Sequence, residues 1–164
     1  MTKFVAAVIG LSLVAVIGII IFGSRGVQTD RTTVGDMKTT KPIYQLDKTI
    51  VDFGQITVND VKSADFTFTN TGTESIQLTH FQTSCDCTAA TIRVGTVLSP
   101  EIGMAGMMTG SAANWRSDLP AGISATITVV YTPSKMPVYG VVERTLKFMA
   151  NDNDLTLTVK ANVQ

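Results

Sequence analysis

Two patterns divide the chain. From Phe4 to Phe22 nineteen residues pass without a charge, whereas from Ile43 onward apolar and polar residues alternate in short runs separated by turn residues. As a helix rising about 1.5 Å per residue, the first run reaches roughly 28 Å, close to the ~30 Å of a bilayer's hydrocarbon core. It predicts a transmembrane anchor within residues 1–22. The alternative is a cleaved signal peptide, whose apolar core is about 7–15 residues long and precedes a small-residue cleavage site. This run is longer and ends Ile21-Phe22-Gly23-Ser24-Arg25, without Ala-x-Ala. Residues 23–42, rich in Thr, Gly and isolated charges and lacking any period, read as a flexible stalk.

Residues 43–164 read as one β domain. Residues 43–46, 49–53 and 55–58 suggest an interrupted edge strand broken at Asp47-Lys48 and Gly54. In 62–70, Ala64, Phe66 and Phe68 share one face and Asp65, Thr67 and Thr69 the other. Asn70-Thr71-Gly72-Thr73 is a turn. Residues 75–82 form the next strand, with Ile76 and Leu78 inward, and strict alternation puts His80 on their face. Further strands are expected at 88–94, at 123–131 up to Pro133, at 141–150 with Leu146, Phe148 and Ala150 on one face, and at 155–163 with five apolar residues alternating against polar ones. About seven strands and no defensible helix point to an all-β, seven-stranded immunoglobulin-like β-sandwich preceded by a single N-terminal transmembrane helix.

One stretch breaks the pattern. Residues 95–118 contain Pro100, Met104, Met107, Met108 and Trp115 with no steady period, longer than ordinary β connections. Methionine and Trp side chains there can cap an open end of the sandwich. Alternatively, Met104, Met107, Met108 and Trp115 form a lip that binds a partner.

Charge removes some functions from consideration. Thirteen basic residues balance thirteen acidic ones, and with no basic cluster larger than a pair, nucleic acid is not an expected partner. The basic residues flanking the apolar run, Lys3 on one side and Arg25, Arg31, Lys38 and Lys41 on the other, give a mixed orientation signal. Long domains translocate despite charge, and the short leader resembles a bacterial signal-anchor, so the domain is expected to be extracytoplasmic. Gly-x-Ser-x-Gly, a phosphate-cradling glycine loop and His-Glu-x-x-His are all missing from the sequence. The expectation is a protein that is not an enzyme and has no small-molecule substrate.

The chemistry concentrates at Thr83-Ser84-Cys85-Asp86-Cys87-Thr88, which holds both cysteines near the single histidine, His80. In an extended strand, residues i and i+2 stand about 6.5–7 Å apart, near the limit for a disulfide. A Cys85–Cys87 bond therefore needs a tight turn. Three readings stay open: a local staple or packing pair, a reversible redox pair, or a soft-metal site in which Cys85, Cys87, His80, Met104, Met107 and Met108 supply ligands for copper as Cu(I). The last is analogous to membrane-anchored β-sandwich copper chaperones with a Cys-x-Cys pair.

Several segments taken in order carry a resemblance: Val51-Asp52-Phe53-Gly54-Gln55-Ile56, Phe66-Thr67-Phe68-Thr69-Asn70-Thr71-Gly72, the cysteine segment, Pro120-Ala121-Gly122 and Asn151-Asp152. Over about residues 49–163 the chain resembles the bacterial family named domain of unknown function 1573, similar to immunoglobulin-like domains of the major sperm protein and hydin type. The resemblance implies the sandwich and a secreted or membrane-anchored setting, and assigns no activity. Asp86 stands where the family usually has Gly, and the methionine-containing insertion is not part of the family pattern. The combined expectation is a single-pass cell-membrane protein whose outer domain binds or assembles with a protein partner through a strand edge or the 95–118 lip; a copper-binding or thiol-redox factor using Cys85 and Cys87 is the alternative.

Overall fold

The structure, a computed structural model, describes residues 43–164. The expected span at 4–22 and stalk at 23–42 lie outside the described residues. The period-two runs become strands β1 (Tyr44–Leu46), β2 (Ile50–Ile56), β3 (Lys62–Asn70), β4 (Ile76–Thr83), β5 (Thr88–Val94), β6 (Val97–Leu98), β7 (Ser117–Leu119), β8 (Ser124–Tyr131), β9 (Gly140–Ala150) and β10 (Asn153–Val163), with one short 3-10 turn at Pro133–Lys135. They form two five-stranded sheets, in the orders β1-β3-β8-β5-β6 and β2-β10-β9-β4-β7. The pairings are antiparallel except for β2, which runs parallel to β10.

The expectation of seven strands is corrected to ten, for two physical reasons. First, the supposed interrupted edge strand is two strands in different sheets, since β1 pairs with β3 and β2 with β10. The switch is pinned at Asp47, whose N–H donates to the Thr67 carbonyl at 3.1 Å and whose Oδ1 accepts the Thr67 N–H at 2.8 Å. Second, the insertion at 95–118 contributes β6 and part of β7.

That insertion closes one side of the sandwich. It leaves the first sheet along β5, where Ile102 and Ala90 exchange backbone hydrogen bonds at 2.8 and 2.9 Å. It reaches the second sheet where the Gly103 carbonyl accepts the Thr83 N–H at 2.9 Å, and β7 then pairs with β4. Ile102 is consequently fully buried. A backbone laid along both edges satisfies strand groups that would otherwise stand open.

Alternation supplies the core. Phe66, Phe68 and Ile127 from the first sheet meet Leu146, Phe148 and Leu157 from the second in one buried cluster, each such side chain contributing about 1.5–3 kcal/mol by leaving water. A line of aromatic contacts crosses the interior. Trp115 packs on Phe81 at 5.4 Å, Phe81 stacks on Phe148 at 5.1 Å, Phe148 meets Phe68 edge-on at 5.9 Å, and Phe68 stacks on Tyr44 at 5.1 Å. The line joins the insertion to β1 through both sheets.

Asn70 ties the β3–β4 turn to the end of β7 from a fully buried position. Its Nδ2 donates to the Glu74 and Leu119 carbonyls at 2.8 and 2.9 Å, and its Oδ1 accepts the Gly72 N–H at 3.0 Å. A Cβ at Gly72 would sit 3.3 Å from both Asn70 Oδ1 and Ile43 Cβ, so the turn approaches too closely for a side chain to fit easily.

Candidate functional site

The cysteine segment crosses between the sheets. β4 belongs to the second sheet and β5 to the first, so residues 84–87 must turn sharply and cannot stay extended. Thr83 Oγ1 and the Thr88 N–H both donate to the Cys85 carbonyl, at 3.0 and 3.2 Å. The Cys87 carbonyl accepts the Thr132 N–H at 2.8 Å. The turn brings the Cα atoms of Cys85 and Cys87 to 5.2 Å, and the two are joined as a disulfide. Both residues are buried, Cys85 at 6% exposure and Cys87 at 1%.

The sulfurs have polar company. Thr88 Oγ1 lies 3.3 Å from Cys85 Sγ and 3.9 Å from Cys87 Sγ; because disulfide sulfur carries no proton, the hydroxyl is the donor. Arg144 Nε donates to Cys87 Sγ at 3.3 Å. Arg144 occupies an inward position of β9, in the file of Val142, Leu146 and Phe148, and is half-buried. Its Nη1 donates to the Glu143 carbonyl at 3.1 Å, and it makes no ion pair among the described residues. Sequence reasoning missed it. The signal was there, since the face defined by Leu146, Phe148 and Ala150, extended backwards by twos, places a guanidinium in line with core residues.

The remaining expected ligands are distributed as follows. His80 does not share the face of Ile76 and Leu78, and that expectation is corrected: it has φ +56° and is exposed. A bulge shifts the β4–β9 register between Thr79 and Gln82. The extra residue inverts the alternation, so Phe81 points inward in its place. The His80 ring shares a 2.8 Å hydrogen bond with Thr79 Oγ1 and borders a groove of about 420 Å³ with Gln82, Lys147 and Asp154. Met104 bridges Thr83 through the backbone, Met108 packs partly buried against the core, and Met107 is 58% exposed. In the disulfide state neither sulfur is a thiolate, so copper ligation concerns only the reduced chain. Among the described residues, no group of three or more His, Cys, Asp or Glu side chains is placed to hold a metal ion.

A second feature lies on the outer face of the second sheet. Val141 is 80% exposed and Tyr139 67%, with Val138 and Met136 nearby in the chain also exposed. Cross-strand register sets Val141 opposite Asn162, which is itself opposite Gln55 of β2. Val141, Asn162, Gln55 and the ion-paired Glu143 and Lys160 line a groove of about 250 Å³ beside the β2 edge. Among the described residues, β2 is the longest edge strand. Within it the Gly54 N–H turns back onto Asp52 Oδ1 at 2.8 Å, and the pairing with β10 shifts register between Lys160 and Asn162.

Comparison with known proteins gives one family match and several structural likenesses. The model of the family described as "Protein of unknown function (DUF1573)" matches residues 44–104. The match takes in the cysteine segment. It includes three of the five landmark segments, leaving Pro120-Ala121-Gly122, Arg144 and Asn151-Asp152 beyond it. Among solved structures, a protein of unknown function from Porphyromonas gingivalis W83 is similar with a TM-score of 0.51 and 16% identity, over 73% of this chain and 46% of that one. The chain therefore spans under half the length of that relative, and at this identity the likeness concerns the fold. An ASH/PapD-like domain of human CEP192 gives a TM-score of 0.44 at 7% identity, over 74% of this chain and 85% of that one. The Escherichia coli chaperone DraB gives 0.39 at 12%, over 74% and 54%. No curated protein matches the chain.

Proposed function

We propose that this protein is a membrane-anchored, extracytoplasmic binding or assembly module without catalytic activity, whose immunoglobulin-like sandwich engages a protein partner on the outer face around Val141. The observation that carries this reading is the 80% exposure of Val141 in a groove that reaches β2, an edge strand among the described residues, with Tyr139, 67% exposed, just ahead of β9. A valine and a tyrosine in water favour burial by a partner, tyrosine being common among the residues that dominate interface energy. The Glu143–Lys160 pair, Asn162 and Gln55 provide the polar rim that protein interfaces usually have. The groove runs to the edge of β2, so an extended partner segment could add hydrogen bonds there; the Gly54 bulge limits such pairing to a short stretch and disfavours indiscriminate sheet growth.

The uncharged run at 4–22 supports the anchor. A disulfide supports the extracytoplasmic side, since such bonds persist mainly in oxidising compartments.

The test is photo-crosslinking from a benzophenone residue at Val141 or Tyr139 in membranes of the native host, with Asp65 on the outer face of the other sheet as control. A discrete protein adduct from the first two positions alone, lost from position 139 on Val141→Asp, is the expected result. Equal labelling from Asp65, or labelling indifferent to Val141→Asp, removes the reading.

A further inference from the structure

We propose that Cys85–Cys87 is a reversible thiol–disulfide couple in which Arg144 holds Cys87 as the thiolate released on reduction. Arg144 stands half-buried on the inward face of β9 with no carboxylate partner among the described residues. Drawing the Nε side of a guanidinium out of water without a carboxylate is unfavourable, and a disulfide sulfur, carrying no charge, does little to offset that. Arg144 nonetheless directs its Nε to Cys87 Sγ at 3.3 Å. The same contact becomes a strong charge-assisted hydrogen bond once Cys87 is a thiolate. The site is therefore more complementary to the reduced state than to the oxidised one.

The two sulfurs also divide the roles. Cys85 is the less enclosed, at 6% exposure against 1%, and Thr88 Oγ1 stands closer to it. An incoming thiolate of a dithiol reductant attacks Cys85 Sγ, forming a mixed disulfide as the Cys85–Cys87 bond breaks and its electron pair leaves on Cys87 Sγ. The second thiol of the reductant, deprotonated to solvent, then displaces Cys85 as a thiolate that takes a proton from water. Two electrons have passed from the dithiol, now a disulfide, to the cysteine pair. Because residues 84–87 connect the two sheets, reduction loosens their crossing, while Ser84 keeps its hydrogen bonds to Thr145 at 2.9 and 3.0 Å.

The full-length chain is equilibrated with graded ratios of reduced and oxidised dithiothreitol, acid-quenched, alkylated and weighed as intact protein, with folding followed by near-ultraviolet circular dichroism. The wild type should gain two alkyl groups while remaining folded. In Arg144→Gln the midpoint should move so that about ten-fold more reductant is needed, equivalent to about 30 mV, and Arg144→Lys should recover part of the shift. In the reduced wild type, one thiol should alkylate with an apparent pKa below the ordinary value of about 8.5. A midpoint within two-fold of wild type in Arg144→Gln overturns the proposal, as does a disulfide reduced only on unfolding. Should Arg144→Gln not fold, the wild-type alkylation profile decides: an ordinary or raised pKa for both thiols is then the overturning result.

Discussion

Replacing Asn70 by Ala removes one side chain and leaves three backbone groups without their partner. Leu119 is fully buried and its carbonyl's bond to Asn70 is enclosed, and a buried acceptor left unsatisfied costs about 1–3 kcal/mol. The Glu74 carbonyl and Gly72 N–H lie nearer water, and losing their bonds costs about 0.5–1 kcal/mol each. The sum is about 3 kcal/mol, a large part of the ~5–15 kcal/mol that holds a domain folded, and corresponds to a melting point lower by about 10 °C. Asn70→Asp should cost more at neutral pH. A carboxylate there faces two carbonyl oxygens where Asn70 presents N–H groups, so its folded pKa is raised and the variant should recover stability as pH falls. Urea unfolding followed by tryptophan fluorescence reads both variants, with Asn153→Ala as the exposed comparison, since Asn153 Nδ2 makes a single hydrogen bond, to the Ala150 carbonyl at 3.4 Å. A loss below about 1 kcal/mol for Asn70→Ala, or no larger than for Asn153→Ala, would refute the accounting.

Tyr131 Oη is buried and has no hydrogen-bond partner among the described residues, so Tyr131→Phe should be neutral or up to about 1 kcal/mol more stable in the same urea assay; clear destabilisation would reveal a partner. Trp115→Ala, by removing the outer end of the aromatic line on Phe81, should cost about 2–3 kcal/mol and raise hydrogen exchange in the segment at 95–118; unchanged exchange would show that the segment is held without it. Burial pushes the Asp47 carboxyl up, but the Thr67 N–H, the Lys48 side chain and the Lys48 N–H together hold it below its ordinary 3.8. Its contribution is therefore present above about pH 3.8 and lost as pH falls through the lower folded value. Acid titration should loosen β1 in that window, seen as faster amide exchange at Thr67, and Asp47→Asn should abolish the pH dependence; exchange insensitive to pH there would contradict the assignment.

Much of the fold was legible in residue order. The alternation of Ala64, Phe66 and Phe68, of Leu146, Phe148 and Ala150, and of Leu157, Val159, Ala161 and Val163 assigned strands and inward faces that the structure reproduces. These are local properties, because a strand's two faces follow from its own period of two. The cysteine pair was also legible, together with the tight turn its bonding requires.

What the sequence could not settle depends on which strands become neighbours. Nothing in residues 43–56 says that β1 and β2 part company into separate sheets, and nothing local marks the bulge that turns His80 outward and Phe81 inward. The insertion lacks any period because its backbone spans the two edges β4 and β5, and neither edge exists before the sheets assemble. Arg144 and Val141 belong to the same class. One meets Cys87 across a separation of 57 residues and the other joins Gln55 across β10. Periodicity dictates which way a side chain points along its own strand, whereas its partner is chosen by packing between distant segments, where burial of the whole apolar face outweighs any local preference.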